Sequence, residues 1–281
     1  GISALARYYL AQGHTVSGSD LVNSEITRAL KKLGAKISIG KNIIKKDADL
    51  IIYSPAVQRP TLNARQCRTL SYPEALGELT KQYFTIAVSG THGKSTTCAM
   101  IGLILAKAGF DPTVLVGTKV KEFGDSNFRL GKSKYLVIEA CEYDESFLNY
   151  CPKIIVITNI EAEHLDYFKT FQNVLKAFQQ FVKKLPKDGI LIDQKQYKKT
   201  RDAVKLRKIL KVPGEYNVEN ALAALATARA LKIPDKISFR SLAEYQGSWR
   251  RFEERKMGKL TIVSDYGHHP TQIKATLRAA R

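Results

Sequence analysis

Short apolar runs alternate with helical segments along the chain. The opening segment Gly1–Leu10 and the segment Ser24–Leu33 are predicted helices, and Gly34 ends the second one. A short strand is predicted near Thr15–Ser17, and the apolar run Asp49–Tyr53 predicts another. An alternation of helices and strands is typical of an α/β fold with a parallel sheet.

A second unit begins near residue 81 with the same alternation. The apolar run Phe84–Val88 predicts a buried strand, which is followed by the loop Ser89–Lys94 and by a helix from Ser95 to about Ala108. Apolar residues at helical spacing between Phe171 and Leu185 predict a helix whose apolar face belongs to the core. The other predicted elements are strands at Tyr135–Glu139, Ile154–Thr158 and Leu260–Val263, and a small-residue helix at Asn217–Ala230.

The composition of the 281-residue chain is that of a globular protein. Hydrophobic residues make up 44% and charged residues 25%, which excludes a wholly disordered or collagen-like chain. No apolar run approaches the roughly 20 residues that a membrane span needs, so we expect no membrane partner. The four cysteines form no CxxC pair, which favours a reducing, cytoplasmic location over a disulfide scaffold or a zinc site.

The net charge of +19 favours anionic partners. Nucleic acid, anionic lipid and phosphorylated small molecules all fit this charge, and so does a lysine-rich surface without any partner. Charge alone therefore leaves the class of ligand open.

A phosphate-binding loop is the strongest chemical signal. It stands between a predicted buried strand and a predicted helix, where backbone amides and the helix N-terminus can meet phosphate oxygens. We expect Lys94 to contact the outer phosphates and the Ser95 hydroxyl to ligate Mg²⁺. Val88 stands where the usual pattern has a glycine, so the loop is a shortened variant. Its residues are Gly90, Thr91, His92, Gly93, Lys94, Ser95 and Thr96.

Two polar residues follow apolar strands that we expect near this loop. Glu139 ends a strand predicted to lie beside the phosphate-loop strand, where a carboxylate can hold Mg²⁺. His164 comes just after the following strand, at the end of a parallel sheet where ligands bind. A solvated strand end for Glu139 and a structural or surface role for His164 are the alternatives.

Three later groups allow two interpretations each. Asn217 and Asn220 flank a helix start, where they could cap the helix or bind an adenine edge. The segment Trp249–Phe252 could form a surface cation–π cluster or present Arg251 to a transferring phosphate. The pair His268–His269 beside an aspartate could suggest a metal site, but adjacent histidines rarely chelate one ion.

Six motifs together resemble the Mur ligases of peptidoglycan synthesis. They are Gly-Thr-His-Gly-Lys-Ser-Thr (90–96), Glu-Ala-Cys-Glu-Tyr-Asp (139–144), Thr-Asn-Ile-Glu-Ala-Glu-His-Leu-Asp (158–166), Asn-Val-Glu-Asn-Ala-Leu-Ala-Ala (217–224), Arg-Arg-Phe-Glu (250–253) and Asp-Tyr-Gly-His-His-Pro-Thr (265–271). The resemblance implies three domains: a Rossmann-like UDP-sugar domain (1–80), a central P-loop ATPase domain with a mostly parallel sheet (81–247) and a partial Rossmann-like C-terminal domain (248–281).

The resemblance also implies a reaction and its cofactors. The expected enzyme uses ATP and Mg²⁺ to join L-alanine to UDP-N-acetylmuramate through an acyl phosphate, without a nucleic-acid partner. By motif, the resemblance implies that Lys94 binds the outer phosphates, that Ser95 and Glu139 hold one Mg²⁺, and that His164 helps to hold a second ion. It also implies that Asn217 and Asn220 meet adenine, that Asp265 meets ribose and that Arg251 reaches the γ-phosphate. For the other substrates, it places Ser19, Asp20 and Ser54 along the UDP-sugar and His268 at the acyl-phosphate or amino-acid region.

Several positions depart from the family pattern. The first strand and most of the first glycine-rich loop would lie before Gly1, and the C-terminal domain stops at Arg281. Tyr216 stands where the family has a histidine, and the distance from His164 to Asn217 is shorter than the family implies. We therefore expect this chain to be a fragment with little or no activity on its own.

Other functions remain compatible with these motifs. A related Mur ligase could add a recycled peptide to the same sugar, and acceptor specificity would separate the two. A basic phosphate-loop protein acting on nucleic acid would bind oligonucleotides in a salt-dependent way. A degenerate nucleotide-binding module would bind ATP without releasing ADP.

Overall fold

Two compact units, Gly1–Leu79 and Thr80–Arg281, make up the computed structural model. The structure describes residues 1–40, 43, 47–57, 67–198 and 200–281. In these residues no helix is long and apolar enough to cross a membrane. The three expected domain ranges stay predictions.

The first unit contains two parallel strand pairs and their helices. Strand β1 pairs with β2, and β3 pairs with β4. Helix α2 starts at Glu25, one residue after the predicted start, because the Ser24 hydroxyl accepts the Thr27 amide at 3.2 Å and caps it. In order, the elements are α1 (Ile2–Ala11), β1 (Ser17–Asp20), α2 (Glu25–Lys32), β2 (Lys36–Ile39), β3 (Leu50–Tyr53), β4 (Arg68–Ser71) and α3 (Tyr72–Thr80).

The strand expected near Thr15–Ser17 lies further along the chain. It starts at Ser17 and continues through Asp20, whose register partner in β2 is Ile39. Backbone pairing with β2 holds this polar stretch in a strand, although its side chains carry no apolar signal. Ser19 and Asp20 are therefore part of the strand and do not follow it.

A six-stranded sheet organises the second unit, with strand order β10-β9-β5-β8-β6-β7. All neighbours run parallel except β6 and β7. The strands are β5 (Phe84–Ser89), β6 (Thr113–Val120), β7 (Ser126–Arg129), β8 (Tyr135–Glu139), β9 (Ile154–Ile157) and β10 (Ile190–Ile192). The predicted strands at 84–88, 135–139 and 154–158 are thus neighbours at the centre of this sheet.

Helices pack against the sheet and against one another. Helix α4 is buried at every position from Ser95 to Leu105, because it lies between the sheet and the helices α9 and α10. The buried Phe181 of α6 stacks on Phe147 with ring centroids 4.4 Å apart, which confirms that this apolar face belongs to the core. The helices are α4 (Lys94–Lys107), α5 (Leu165–Phe168), α6 (Phe171–Val182), α7 (Gln194–Tyr197), α8 (Asp202–Ile209), α9 (Glu215–Ala230) and α10 (Asp235–Glu244).

The last part of the second unit is more exposed than the sheet. Strands β11 (Glu253–Met257) and β12 (Leu260–Ser264) form an antiparallel hairpin, and helix α11 (Pro270–Ala280) follows. None of the residues of α11 is buried. We refer to residues 248–281 as the C-terminal arm.

Candidate active site

The phosphate-binding loop joins the central strand β5 to the buried helix α4. The helix starts one residue earlier than predicted, at Lys94, after Gly93 with φ of 81°. Gly90 has φ of 132°, and a Cβ there would lie 2.2 Å from the Thr158 hydroxyl oxygen. Only glycine fits this conformation and this contact, so the sequence dictates how closely the loop approaches the segment after β9.

Lys94 is held by a buried carboxylate that the sequence did not reveal. Its ammonium donates to both carboxylate oxygens of Glu142, at 2.9 and 3.0 Å, and to the Gly90 carbonyl at 2.5 Å. Burial is the largest single influence and lowers the pKa of Lys94, but the charges of Glu142, Cys141 and Glu139 and the hydrogen bonds to Glu142 together outweigh it, so the net pKa is raised. Lys94 therefore stays a cation. The signal for Glu142 is its position just after β8, the strand next to β5.

Ser95 and Glu139 meet as predicted, because β5 and β8 are neighbouring strands. The Ser95 hydroxyl donates to Glu139 at 2.9 Å, and the same carboxylate oxygen accepts the Gly117 amide at 2.8 Å. A Cβ at Gly117 would lie 2.7 Å from this oxygen. A hydroxyl and a carboxylate are hard oxygen donors, so this pair fits the ligand preference of Mg²⁺.

His164 lies beside a second group of ligand atoms. Its φ is 55°, and its ring centroid is 4.9 Å from that of Tyr143. One ligand atom each from His164, Glu142 and Glu163 lies within 4.8 Å of the others. His164 is thus close to the carboxylate that holds Lys94.

Asn217 and Asn220 lie inside α9, and the N-cap interpretation is wrong. Gly214 precedes the helix, and no side chain caps it. Both asparagines are buried because α9 packs against α4. Asn220 accepts the Thr97 hydroxyl at 3.3 Å, and a Cβ at Gly93 would lie 2.1 Å from its side-chain oxygen. The asparagine motif therefore lies directly behind the phosphate loop.

The C-terminal arm brings Arg251 to the same place. Its guanidinium donates to the Ser95 hydroxyl at 3.4 Å, while Arg250 lies over the Trp249 ring at 5.5 Å. The cation–π interpretation is thus observed at Arg250, whereas the contact of Arg251 with a transferring phosphate stays a prediction. Asp265 accepts the amides of Phe252 at 2.8 Å and Gly267 at 2.6 Å, which shapes the turn of the arm.

The two adjacent histidines of the arm face different glutamates. His268 lies 3.2 Å from Glu163, and His269 lies 3.7 Å from Glu161. His269, Glu161 and His92 form another group whose ligand atoms lie within 4.8 Å of one another. Thr271 of the arm donates to Glu161 at 2.8 Å.

His92 of the phosphate loop carries a proton on the nitrogen that faces Glu161. The Gln272 oxygen accepts the backbone amide of His268 at 3.0 Å, so the Gln272 nitrogen must donate to Nδ1 of His92, at 2.7 Å. The remaining proton of the neutral ring then lies on Nε2, 3.3 Å from Glu161. Burial lowers the pKa of His92, which agrees with a neutral ring.

Three predicted substrate residues lie in the first unit. Ser19 and Asp20 are in β1, where the Asp20 carboxylate accepts the Val22 amide at 3.0 Å. Ser54 follows β3, and its hydroxyl accepts the Ala56 amide at 3.3 Å. The expected UDP-sugar contacts of these residues stay predictions.

Both units match known protein families. Residues 1–84 match the catalytic domain of the Mur ligase family, and residues 88–209 match the Mur ligase middle domain. A curated UDP-N-acetylmuramate–L-alanine ligase from Caldanaerobacter subterraneus subsp. tengcongensis is 37% identical, over all of this chain and 71% of the relative. The chain belongs to the Mur ligase family. The expected family and α/β fold class are thus confirmed.

Two further Mur ligases extend the comparison. The UDP-N-acetylmuramate–L-alanine ligase of Acetivibrio thermocellus is 39% identical over all of this chain and 70% of the relative. A solved UDP-N-acetylmuramate–alanine ligase from Thermotoga maritima superimposes with a TM-score of 0.85 at 25% identity, over 99% of this chain and 74% of that one. The Acetivibrio alignment spans 332 positions against the 281 residues here, so that relative carries internal residues that this chain lacks.

Proposed function

We propose that this Mur ligase uses ATP to join L-alanine to UDP-N-acetylmuramate for peptidoglycan synthesis. The observation that carries the proposal is the convergence of Lys94, the Ser95–Glu139 pair and Arg251 at the N-terminus of α4. The shared name of the aligned relatives favours L-alanine over a recycled peptide as the acceptor.

The arrangement suits phosphoryl transfer followed by amide formation. The sugar carboxylate attacks the γ-phosphorus of ATP, and ADP leaves with the electron pair of the broken P–O bond. The amine of L-alanine then attacks the acyl carbon, and phosphate leaves. Lys94, Arg251 and the helix N-terminus supply positive charge where the phosphates carry negative charge, which is the main demand of such a reaction.

A magnesium ion is part of the proposal. Ser95 and Glu139 would hold it, because their oxygens lie 2.9 Å apart on adjacent elements. Bound there, Mg²⁺ would neutralise phosphate charge. We propose His164 for a second ion, beside Glu142 and Glu163.

The remaining assignments extend the site to the whole substrates. Asn217 and Asn220 would meet adenine, and Asp265 would meet ribose. His268 would face the acyl-phosphate or amino-acid region, and Ser19, Asp20 and Ser54 would contact the UDP-sugar. The three ranges 1–80, 81–247 and 248–281 would be the UDP-sugar, ATPase and C-terminal domains.

We also propose a cytoplasmic location. The four cysteines are free thiols, which suits a reducing compartment. The nucleotide and the nucleotide sugar that the enzyme would use are both polyanions, and the net charge of +19 favours such ligands.

The test is ADP release with ATP, Mg²⁺ and UDP-N-acetylmuramate, supplied with L-alanine, with a tripeptide or with no acceptor. The assay is run on the 281-residue chain and, in parallel, on the chain extended to the length of its relatives. We expect the extended protein to form ADP from ATP only when both the sugar and L-alanine are present. Release with the tripeptide alone would reassign the acceptor, and no sugar-dependent release would reject the ligase.

A further inference from the structure

The segment after β9 continues the sheet pairing along the phosphate loop. The last register pair of β5 and β9 is Ser89 with Ile157. Beyond it, the Thr158 amide donates to the Ser89 carbonyl at 3.0 Å, and the Thr91 amide donates to the Asn159 carbonyl at 3.0 Å. The loop therefore leaves the sheet with its backbone still paired.

The side chain of Asn159 adds one more rung to this pairing. Its oxygen accepts the His92 amide at 2.8 Å, and its nitrogen donates to the His92 carbonyl at 3.1 Å. A carboxamide offers the same donor and acceptor as a peptide group. The orientation is fixed, because a backbone amide of His92 can meet only the oxygen.

Two hydroxyl groups reinforce the same contact. The Thr158 hydroxyl lies 2.5 Å from the His92 carbonyl and 3.2 Å from the Ser89 carbonyl. The Thr91 hydroxyl accepts the Glu161 amide at 2.8 Å. The loop is thus tied to the segment 158–161 by backbone and side-chain bonds at Thr91 and His92.

This pairing decides which amides remain for a phosphate. The amides of Thr91 and His92 are already bonded to Asn159. The first intrahelical bond of α4 runs from the Thr97 amide to the Gly93 carbonyl at 2.9 Å, so the amides of residues 93–96 have no intrahelical acceptor. These are the amides that a helix N-terminus offers to an anion.

We infer that Asn159 is a positioning residue for nucleotide binding. It fixes His92, and with it the path of the loop into α4, so that phosphate is bound by the amides of residues 93–96 and not by those of Thr91 and His92. The inference rests on the nucleotide binding in the proposed function, and it does not depend on which sugar or amino acid is ligated.

The first experiment compares Asn159→Ala with Asn149→Ala in the whole chain. Asn149 is exposed, and its amide also donates to a backbone carbonyl, that of Ser146 at 3.0 Å. Binding of ADP with Mg²⁺ is measured by titration calorimetry, together with the thermal midpoint of each variant. We expect Asn159→Ala to weaken ADP binding about tenfold and Asn149→Ala to leave it unchanged. Equal affinities in folded Asn159→Ala and the parent chain would overturn the inference.

A second experiment needs no substitution and covers the case in which Asn159→Ala does not fold. Amide hydrogen exchange and amide chemical shifts are followed by NMR in the parent chain with and without ADP and Mg²⁺. We expect the Thr91 and His92 amides to be protected before nucleotide is added, and the largest shifts to occur at residues 93–96. Fast exchange at His92 without nucleotide, or its protection only on binding, would contradict the inference.

The two proposals fail in different ways. A protein that binds ADP but does not form ADP from ATP in a sugar-dependent manner would reject the ligase. The role of Asn159 in ADP binding could still be tested on that protein. An active ligase whose Asn159→Ala variant binds ADP normally would reject only the positioning role.

Discussion

Two parts of the second unit reach the candidate site in different ways. The first, which we call the platform, consists of β5, β8, β9 and α4 together with the loop residues 90–93, 140–142 and 158–161 that follow the three strands. Its central residues Ile86, Ala87 and Val88 are fully buried. The C-terminal arm reaches the same site with a hairpin and a helix whose side chains are largely exposed, and none of α11 is buried.

The contacts of the two parts differ in kind. Platform residues such as Ser95 and Glu139 continue from buried elements, so their positions are fixed by core packing. The arm meets the platform through polar side-chain bonds, such as Thr271 to Glu161 at 2.8 Å and Gln272 to His92 at 2.7 Å. Such exposed or half-buried polar bonds contribute little each. We therefore expect substitutions in the platform to lower the free energy of unfolding strongly. Substitutions in the arm should lower it only slightly.

The largest expected effect comes from Lys94→Met in the platform. Glu142 is 2% exposed and would be left as a buried charge without a partner. We expect the free energy of unfolding to fall by about 3–5 kcal/mol. ADP binding should weaken about a hundredfold, because the cation for the outer phosphates is lost. Chemical denaturation and ADP titration measure the two effects.

Two further variants sharpen this result. Adding Glu142→Gln to Lys94→Met removes the stranded charge, so stability should largely return while ADP binding stays weak. In the arm, Arg255→Met breaks an exposed pair with Glu253 at 3.0 Å and should cost less than about 1 kcal/mol. A loss of equal size in Arg255→Met and Lys94→Met would break the distinction between platform and arm.

The sequence predicted the parts of the platform that a local pattern encodes. The strand–loop–helix unit around Lys94 was predictable, because an apolar run, two glycines and a helix start all lie within one short segment. Ser95 and Glu139 followed from parallel strands that share one edge. Glu142 and Asn159 were missed, since several polar residues follow β8 and β9 and only the folded structure shows which of them reach Lys94 and His92.

Packing between distant segments explains the other errors. Asn217 was open to a capping interpretation because its burial arises from the contact of α9 with α4, which no local pattern encodes. Strand β1 was misplaced, since Ser17–Asp20 carry no apolar signal and pair with β2 through the backbone. The sequence pattern thus located the elements that contain a run of apolar residues. It missed strands and side chains whose positions depend on contact with a distant segment of the chain.

A second prediction compares glycines in the two parts. In Gly90→Ala the new Cβ would meet the Thr158 hydroxyl at 2.2 Å in a backbone with φ of 132°. We expect a loss of about 3 kcal/mol from strain and overlap together. Gly258 of the arm also has positive φ, 60°, but nothing lies within 4 Å of its added Cβ. Gly258→Ala should therefore cost only about 1 kcal/mol in the same denaturation experiment.

The smallest expected effect is a pH dependence where arm and platform meet. Burial is the largest influence on His92 and lowers its pKa below the ordinary value of 6.5, against the opposing charges of Glu161 and Glu163 and with help from His269. The unfolded chain then binds a proton at higher pH than the folded chain does. Stability from His92 is fully present above the unfolded value and is lost as the pH falls from there towards the folded pKa.

The measurement is the thermal midpoint from about pH 7.5 to about pH 5.5, a range that lies above the ordinary titration of carboxylates. We expect the midpoint to fall with pH and His92→Gln to flatten that dependence. Protonated His92 can no longer accept the Gln272 amide, so hydrogen exchange should quicken first at residues 268–272 of the arm, while the platform amides of α4 stay protected. A uniform increase across platform and arm would show that the two parts open together, and their separation would then be wrong.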